Sequence, residues 1–325
     1  YDFWHLYGSL LEEIFWILLL ISLFTIFIYY LFYFIRLHSF SINSESFDKP
    51  ISIVICAKNE VSNLKKNLPS ILAQDYSHFE VVVVNDQSID ESINFLEELA
   101  LVNKNLTIVD IDNFVTHSPG KKFALTLGIK SAKYDYLIMT DADCIPNSKD
   151  WIKLIASNFN SHNIILGYGS YEKKKGFLNK IIRYDTFNIA QQYLSFALAG
   201  QTYMGVGRNL AYKKSLFFKN KGFATHMHIA SGDDDLFIQE IASNEPSTIS
   251  IVQESHTTSE VMESWREWVY QKRRHISASD LYKTKFKVLL LIFPLSQAIF
   301  YLSFILLFFL TTKIIYLLVI LVLKL

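Results

Sequence analysis

Cysteine is scarce in this chain of 325 residues, and its charges balance to zero. The two cysteines, Cys56 and Cys144, lie in or at the end of apparent strands. Two thiols cannot build a disulfide framework or a cysteine zinc site, so we expect a reducing compartment or plain core packing. The 31 basic residues are matched by 31 acidic ones, which leaves no overall field to attract nucleic acid. We therefore expect no nucleic-acid partner.

The glycine-rich fingerprint of dinucleotide-binding folds is also missing. That fingerprint, G-x-G-x-x-G, follows the first strand of such folds and lets the backbone approach a pyrophosphate. Here the first apparent strand, Ile51–Ala57, continues with Lys58, Asn59 and Glu60 instead. The sequence therefore argues against nicotinamide and flavin chemistry.

Apolar residues are abundant, at 51% of the chain. Ile14–Ile35 contains no charged residue, and as a helix it is about 33 Å long, enough to cross a bilayer core. Val288–Leu310 is a second predicted span. Ile314–Leu323 is too short to cross alone, and we interpret it as a truncated third span. Because the chain begins with Tyr1 rather than Met, we expect part of the N-terminus to be missing.

Charges around the predicted spans indicate their orientation. Acidic residues precede the first span, whereas basic residues follow it and also precede the second. By the positive-inside rule, the polypeptide between the spans is cytoplasmic, in an inner or plasma membrane. Too few spans are present for a transporter. The residues that carry the argument are Asp2, Glu12 and Glu13 before the first span, Arg36, His38 and Lys49 after it, and Lys283, Lys285 and Lys287 before the second.

The central segment predicts an α/β domain with a mostly parallel sheet. Continuous β-branched runs alternate with helical patterns, as expected of strands covered by helices on both faces. The chain is therefore divided into a transmembrane helix and linker at 1–49, the α/β domain at 50–260, an interfacial region at 261–287 and a transmembrane region at 288–325. Predicted strands are Ile51–Ala57, Phe79–Val84, Leu106–Ile111 and Tyr136–Met139, and predicted helices are Asn63–Ala73, Asp90–Val102 and Lys121–Ala132.

Two carboxylates, Asp141 and Asp143, end the fourth predicted strand. Open α/β sheets bind their ligands at the carboxyl ends of the strands. Hard carboxylate oxygens suit Mg²⁺ or Mn²⁺, and such ions usually accompany a diphosphate. The alternative is a solvated turn after a strand. Other polar residues end strands on the same edge, notably Glu60 and Asp86. Lys121 opens a helix, an unfavourable position for a cation unless an anion is held nearby.

Three adjacent acids, Asp233, Asp234 and Asp235, form a second acidic cluster. Their mutual repulsion should raise the pKa of at least one of them unless a cation intervenes. A carboxylate tuned in this way is a candidate general base. The alternative is a capping cluster for a helix at Leu236–Ser243, a role that we expect of Asp235.

The segment Ser264–Arg274 predicts an amphipathic helix. Trp265, Trp268 and Val269 share one face, and basic residues crowd the end of the segment. This composition suits a helix in the membrane interface, although the basic residues also mark the cytoplasmic end of a span. A lone histidine, His256, follows a predicted strand at Ile249–Gln253, and we leave it out of the metal site.

These segments together resemble the family 2 glycosyltransferases with a GT-A domain, over residues 50 to 275. The hyaluronan-synthase and ceramide-glucosyltransferase types show similar motifs. The chain departs from the family pattern at Asn85, where a second Asp is frequent, and at His275, where a Trp is usual. The resemblance rests on Ala57–Glu60, Val83–Ser88, Gly120–Leu125, Thr140–Asp143, Gly205–Ala211, Gly232–Leu236 and Gln271–Arg274.

The resemblance implies a role for each motif. The donor would be a nucleotide sugar, usually a UDP-sugar, bound with Mg²⁺ or Mn²⁺. The general base falls on Asp234, or on Asp233 after a one-residue shift. The loop Gly205–Asn209 would line the acceptor side. The donor-binding residues implied are Glu60 and Asp86 for the nucleoside, Lys121, Gln271 and Arg274 near the phosphates, and Asp141 and Asp143 for the metal and diphosphate.

The resemblance therefore predicts a membrane-anchored, inverting glycosyltransferase. We expect a lipid or lipid-linked glycan as acceptor, because two or three spans are too few to line a polysaccharide channel. A processive polysaccharide synthase, working as an oligomer or with a partner subunit, stays open as an alternative. A non-catalytic scaffold that binds a nucleotide sugar is the alternative outside enzymes.

Overall fold

The computed structural model describes residues 2–41, 45–111, 120–229 and 231–324. It divides into two units, one formed by Tyr1–His38 with Lys283–Leu325 and the other by Ser39–Tyr282. The α-helices are α1 (Asp2–Tyr29), α2 (Ile35–His38), α3 (Val61–Leu72), α4 (Ser92–Val102), α5 (Lys121–Ser131), α6 (Trp151–Ala156), α7 (Phe177–Leu198), α8 (Lys214–Lys219), α9 (Asp235–Ile241), α10 (Trp265–Ser279), α11 (Thr284–Leu310) and α12 (Ile314–Lys324). The strands are β1 (Ile51–Ala57), β2 (Phe79–Asp86), β3 (Leu106–Ile111), β4 (Tyr136–Asp141), β5 (Cys144–Pro146), β6 (Ile164–Gly167), β7 (Gly169–Tyr171), β8 (Leu210–Lys213), β9 (Ser247–Ser250) and β10 (Thr257–Ser259).

The helical unit is built from α1, α11 and α12. A π-helical turn at Tyr30–Phe34 joins α1 to α2. Leu19, Phe300 and Leu307 are fully buried between the helices. The outward side chains are apolar too, and Phe24 is 65% exposed. Leu10–His38 and Thr284–Leu310 are therefore candidate membrane spans by length and composition, at the two places that the sequence predicted, while α12 is shorter.

The second unit contains a seven-stranded sheet in the order β3-β2-β1-β4-β8-β6-β9. Strands β3, β2, β1 and β4 run parallel to one another, β8 runs antiparallel to both β4 and β6, and β6 runs parallel to β9. The α/β class and the mostly parallel sheet are confirmed. Ile53, Val54 and Ile55 in the central strand are at most 1% exposed, because both faces of the sheet are covered.

Helix α5 packs directly on the sheet. A β-carbon at Gly128 would lie 2.7 Å from the side chains of Val54 and Val84, so only glycine fits this approach. The close packing brings the start of α5, with Lys121, to the carboxyl edge of the parallel strands. This edge is where ligands bind in open α/β sheets.

The predicted helices and strands are correct in type and mostly within two residues in extent. Strands β2 and β4 extend two residues further than predicted, because their ladders continue to Asp86 and Asp141. The predicted strand Ile249–Gln253 is misplaced: β9 ends at Ser250, and a 3-10 turn begins at Gln253. The sequence did not predict β5, β7 and β10, three-residue strands that pair into a second sheet beside Asp143.

Helix α10 confirms the amphipathic helix of the sequence. The Ser264 hydroxyl caps it by accepting the Glu267 N–H at 3.2 Å. Its two tryptophans have different surroundings. Trp265 is 49% exposed, whereas Trp268 packs against a cluster that contains Tyr171. Trp268 therefore packs against the core of this unit, and Trp265 is exposed at the surface.

Candidate active site

Asp141 and Asp143 lie at the end of β4, with buried Ala142 between them. Asn67 donates to the Ala142 carbonyl at 3.0 Å and holds this turn. One oxygen of each carboxylate and the Cys144 sulfur lie within 4.8 Å of one another. Burial raises the pKa of the Cys144 thiol far above its usual range, so this sulfur is a neutral donor to Asp143 rather than a thiolate ligand. Two carboxylates fit a hard ion such as Mg²⁺ or Mn²⁺.

The Asp143 carboxyl is itself perturbed. Burial raises its pKa to about 6, and the Asp141 charge acts in the same direction. A cation between the two acids would relieve this repulsion. The pair therefore has the chemistry of a divalent-cation site.

Lys121 bridges the two acidic clusters. Gly120, with a φ of 80°, turns the chain into α5, and Lys121 is the first residue of that helix. Its Nζ atom lies 2.7 Å from Asp141 Oδ1 and 3.2 Å from Asp233 Oδ2. Burial opposes its charge, but Asp141, Asp233 and Asp234 outweigh burial and raise the pKa of Lys121 well above its usual value. The lysine is therefore a permanent positive charge in the cleft.

The neighbouring Lys122 has a different role. It is 2% exposed, and its ammonium donates to the His226 carbonyl at 2.5 Å and the Ile229 carbonyl at 3.0 Å. These carbonyls belong to the segment that leads into the acidic triplet. The second lysine therefore anchors that segment to α5, while the first faces the cleft.

The acidic triplet opens α9 in a way that differs from the prediction. The residue that caps the helix is Asp234, not Asp235, because the helix already begins at Asp235. Asp234 accepts the Gly207 N–H and the Asp235 N–H, both at 2.8 Å. Asp235 accepts the Leu236 N–H at 2.7 Å and the Tyr282 hydroxyl at 2.8 Å. Each of these two carboxylates is thus held in a fixed orientation.

The three acids differ in how readily they ionise. Burial raises the pKa of Asp234 to about 7, and the charges of Asp233 and Asp235 add to this effect. Burial also opposes ionisation of Asp233, but the Lys121 ammonium outweighs it and lowers the pKa of Asp233 below its usual value. The expected split within the triplet is therefore present, because the pKa is raised at Asp234 and Asp235 and lowered at Asp233.

The residues that follow β1 and β2 also lie at the carboxyl edge of the sheet. Asn59 has a left-handed φ of 57°, and its N–H donates to Ser88 Oγ at 2.9 Å. The Ile89 N–H donates in return to Asn59 Oδ1 at 2.8 Å, so the two loops are tied together. Asp86 is 6% exposed, and Glu60 is partly buried. Both predicted nucleoside-binding acids therefore lie on the carboxyl edge.

The carboxyl edge brings several predicted residues together around the end of β1. The partly buried thiol of Cys56 has its pKa raised first by desolvation and further by Asp141, Asp233 and Asp86. Asn85 stands where the family pattern frequently has a second Asp, and a neighbouring side chain accounts for this difference. Asn85 Nδ2 donates to Asp110 Oδ1 at 2.7 Å, and an aspartate here would face that carboxylate with like charge.

In the part of the chain that the structure describes, the cleft lining does not include the predicted metal ligand Asp143 or four predicted donor-binding residues, which are Glu60, Asp86, Gln271 and Arg274. Gln271 Nε2 donates to the Tyr171 hydroxyl at 3.1 Å, and Arg274 is exposed on α10. His256, which was left out of the predicted metal site, has its Nε2 atom 3.0 Å from the Ile251 carbonyl oxygen. The cleft is lined by Lys121, Leu125, Met139, Thr140, Asp141, Gly207, Leu210, Tyr212, Asp233 and Asp234.

Three residues near the site were not assigned individual roles from the sequence. Arg208 was included only in an acceptor-side loop, and Tyr171 and Tyr282 not at all. Arg208 lies on the Tyr171 ring, 4.3 Å from its centroid, and its charge acts on Asp143. Tyr282 donates to Asp235 across 47 residues of sequence. A lone aromatic or a basic loop residue carries no signal of such a distant partner.

Comparison with known proteins places this site in context. A family model described as Glycosyl transferase family 2 matches residues 52–219, just over half of the chain. An uncharacterized glycosyltransferase of Haemophilus influenzae is 28% identical over 121 residues, which cover 37% of this chain and 36% of that protein. A poly-beta-1,6-N-acetyl-D-glucosamine synthase of Staphylococcus aureus is 31% identical over 119 residues, 35% of this chain and 28% of the synthase. The matches thus span about a third of these relatives' length.

Solved structures share the fold. A mannosyltransferase of Pyrobaculum calidifontis, PcManGT, in complex with GDP-Man and Mn²⁺, superposes with a TM-score of 0.65 and 18% identity over 90% of this chain and 86% of that one. TarS of S. aureus, as residues 1–349, gives a TM-score of 0.51 and 19% identity over 65% and 60%. At these identities the likeness shows the fold, in agreement with the α/β architecture described above.

Proposed function

The chain belongs to glycosyl transferase family 2, and we propose that it moves a sugar from a nucleotide donor to an acceptor hydroxyl with inversion, assisted by a divalent cation. One observation carries this proposal. Lys121 joins Asp141 of the first acidic cluster to Asp233 of the second, beside Asp234. Groups suited to a departing diphosphate and a group suited to accepting a proton therefore line one small cleft.

On the donor side, Asp141 and Asp143 would hold a Mg²⁺ or Mn²⁺ ion, which supplies positive charge to the nucleoside diphosphate leaving group. Lys121 provides a second positive charge from the protein itself. Asp86 and Glu60, at the ends of β2 and β1, are placed to meet the nucleoside. We propose a UDP-sugar as donor. Of the neighbours, TarS has been solved with UDP-GlcNAc, and PcManGT was solved with GDP-Man, so the base must be tested.

On the acceptor side, we propose Asp234 as the general base. A base works best when its pKa lies near the working pH, and the pKa of Asp234 is raised to about 7. Backbone N–H groups of Gly207 and Asp235 hold its carboxylate, so its orientation is set before the acceptor arrives. The proton of the acceptor hydroxyl passes to Asp234 as the oxygen attacks the anomeric carbon from the face opposite the diphosphate.

Asp233 is the alternative base. Its carboxylate also lines the cleft and lies 3.2 Å from Lys121, closer to the donor groups. Against it, Lys121 lowers its pKa and makes it the weaker base of the two. Asn substitutions at the two positions, each followed by transfer and donor-binding measurements, distinguish them.

For the acceptor, we propose a lipid or lipid-linked glycan at the membrane. The candidate spans Leu10–His38 and Thr284–Leu310 would anchor the domain, with residues 50–260 cytoplasmic, 261–287 in the interface and 288–325 membrane-embedded. A cysteine introduced at exposed Lys104 should react with an impermeant reagent only in opened cells. Labelling in intact cells contradicts this orientation.

A processive synthase is the second candidate, alone or with a partner subunit. It is favoured by the similarity to the staphylococcal poly-beta-1,6-N-acetyl-D-glucosamine synthase. The two products differ in size and solubility. Membranes with the overexpressed chain, supplied with labelled UDP-sugars, should yield a product that is extracted into organic solvent. A long, solvent-insoluble polymer assigns the chain to the second candidate.

The central test is a screen of UDP- and GDP-sugars with the purified, detergent-solubilised chain. We expect release of the nucleoside diphosphate with one donor, dependent on Mn²⁺ or Mg²⁺ and abolished by EDTA. Binding of a nucleotide sugar without any transfer supports a scaffold instead. If no nucleotide sugar binds or reacts, the proposed function is wrong.

A further inference from the structure

Arg208 stands at the centre of a contact chain that the proposed mechanism does not use. We propose that Arg208 binds the diphosphate of the donor, and that Gln271 of α10 supports this contact through Tyr171 instead of touching the donor. The proposal rests on the proposed function. It assigns donor binding to an arginine in the loop Gly205–Asn209, for which the resemblance implied an acceptor-side role, and it gives Gln271 a positioning role.

The backbone of Arg208 is fixed from two sides. Its carbonyl accepts the Thr140 hydroxyl and the Thr257 hydroxyl, both at 2.9 Å. Thr140 immediately precedes Asp141 on β4, and Thr257 opens β10. The arginine is thereby tied to the strand that carries the first acidic cluster.

The next residue, Asn209, reinforces this position. It is 0% exposed, donates to the Tyr168 and Ser255 carbonyls at 3.0 and 2.8 Å, and accepts from Trp151 at 3.1 Å. A buried amide with all these partners is costly to move. The start of the Arg208 side chain therefore has a well-defined place.

The guanidinium lies over an aromatic face and next to the acidic site. It is 4.3 Å from the Tyr171 ring centroid, a cation–π contact, and donates to the Ser170 carbonyl at 3.3 Å. A guanidinium has five N–H donors, and this carbonyl uses one. In the described part of the chain, no carboxylate lies within 4.0 Å of it, yet its charge acts on Asp143. A partly buried cation without an ion-pair partner favours an anionic ligand.

The ring beneath Arg208 is held by α10. Tyr171 is 8% exposed and packs with Ile182, Val261 and Trp268. Its hydroxyl accepts from Gln271 Nε2 at 3.1 Å. The stack of Gln271, Tyr171 and Arg208 therefore runs from α10 to the first acidic cluster. A diphosphate at that cluster would meet the fork of Arg208, whose planar geometry suits phosphate oxygens.

The test compares UDP with uridine, or GDP with guanosine if the donor screen selects guanine, by titration calorimetry in Mn²⁺. We expect Arg208→Gln to weaken diphosphate binding about tenfold or more and nucleoside binding little, since only the phosphate contact is lost. Arg208→Lys keeps the charge without the planar fork, and we expect about threefold weaker binding. Arg266→Gln, an exposed arginine on α10, is the control and should bind like the parent.

The positioning role has its own test. Tyr171→Phe keeps the ring but loses the bond from Gln271, and Gln271→Ala loses the same bond from the other side. We expect each to weaken diphosphate binding about threefold, and the double variant to be no worse than either single one. If Gln271→Ala weakens binding further in the Tyr171→Phe background, Gln271 touches the donor and this part of the proposal is wrong.

The outcomes separate this proposal from the proposed function. If the parent chain binds neither UDP nor GDP, the proposed function itself fails. If the parent binds and both Arg208 variants bind equally well, Arg208 does not contact the diphosphate. Equal weakening of nucleoside and diphosphate binding also overturns the contact, because it indicates a misshapen pocket. Should Arg208→Gln fail to fold, as judged by circular dichroism, Arg208→Lys and the Tyr171→Phe pair decide the question.

Discussion

Two acidic clusters meet across Lys121, and they are stabilised in different ways. Asp141 and Asp143 follow a parallel strand, where the described contacts of their carboxylates are the Lys121 ammonium and the Cys144 thiol. Asp234 and Asp235 open a helix and accept backbone N–H groups. Helix N-termini carry unpaired donors and partial positive charge, whereas strand ends supply neither.

Because of this difference, the two clusters suit different roles in the proposed reaction. Carboxylates with few donors around them gain most from a bound cation, which suits the first cluster to a metal and diphosphate. Carboxylates already held by the backbone need no ion to keep their place, which suits the second cluster to proton transfer. Four predictions test this contrast, beginning with the largest effect.

Removing the base should have the largest effect. Asp234→Asn keeps the size of the side chain and can still accept the Gly207 N–H, but it cannot take a proton. We expect transfer to fall about a thousandfold, within the range of general-base catalysis, with donor affinity unchanged. The measurements are turnover and calorimetric donor binding. Transfer above about a tenth of the parent rate rules out Asp234 as the base and moves the role to Asp233.

Removing the carboxylates of the first acidic cluster should abolish cation binding. The double variant Asp141→Asn with Asp143→Asn should lose Mn²⁺ binding, followed by electron paramagnetic resonance, and weaken nucleoside diphosphate binding about a hundredfold. Glu98→Gln, at an exposed position on α4 outside the cleft lining, is the acidic control. Unchanged Mn²⁺ binding in the double variant contradicts the assignment of these two acids.

The pH dependence of turnover should distinguish the two candidate bases. A base must be unprotonated to act, and the pKa of Asp234 is raised to about 7. Turnover should therefore fall about tenfold per pH unit below that value, at saturating donor and cation. If Asp233 is the base, its lowered pKa keeps it ionised and turnover stays level through the same range. A level profile thus argues for Asp233.

The smallest expected effect concerns support of the second cluster. Tyr282→Phe removes the hydroxyl that donates to Asp235 at 2.8 Å. We expect a loss of about 1.5 kcal/mol in stability, the scale of a hydrogen bond to a charged group, and a melting temperature lower by about 3–6 °C. Tyr270→Phe, at a residue that is 72% exposed on α10, should melt like the parent. Identical melting of the two variants means that the Tyr282 hydroxyl contributes nothing.

Much of this molecule was predictable from the sequence because its signals are local. Continuous runs such as Ile51–Ala57 become central strands, since only a doubly covered strand buries every side chain. Asp141 is the last residue of another such strand, Tyr136–Asp141, so its carboxylate lies at the carboxyl edge of the sheet. The triplet at 233–235 was recognisable from repulsion alone, and its pKa split follows from which acid lies nearest Lys121.

Other features could not be found locally. The helix cap fell on Asp234 instead of Asp235, because α9 begins one residue earlier than the sequence predicted. Three-residue strands such as β7 and β10 carry too short a pattern to be recognised, and they exist because each pairs with a neighbour distant in sequence. The hydrogen bond from Gln271 to Tyr171 joins residues that are 100 positions apart in the sequence.

The sequence by itself determined the α/β class, the candidate spans and the identity of the two acidic clusters, because hydrophobic periodicity and like-charge repulsion act between neighbours along the chain. Only the tertiary structure decided that Lys121 joins those clusters and that Arg208 lies on Tyr171 beside them. These contacts connect residues far apart in sequence. Their formation depends on how the helices and the small sheet close over the carboxyl edge of the large one.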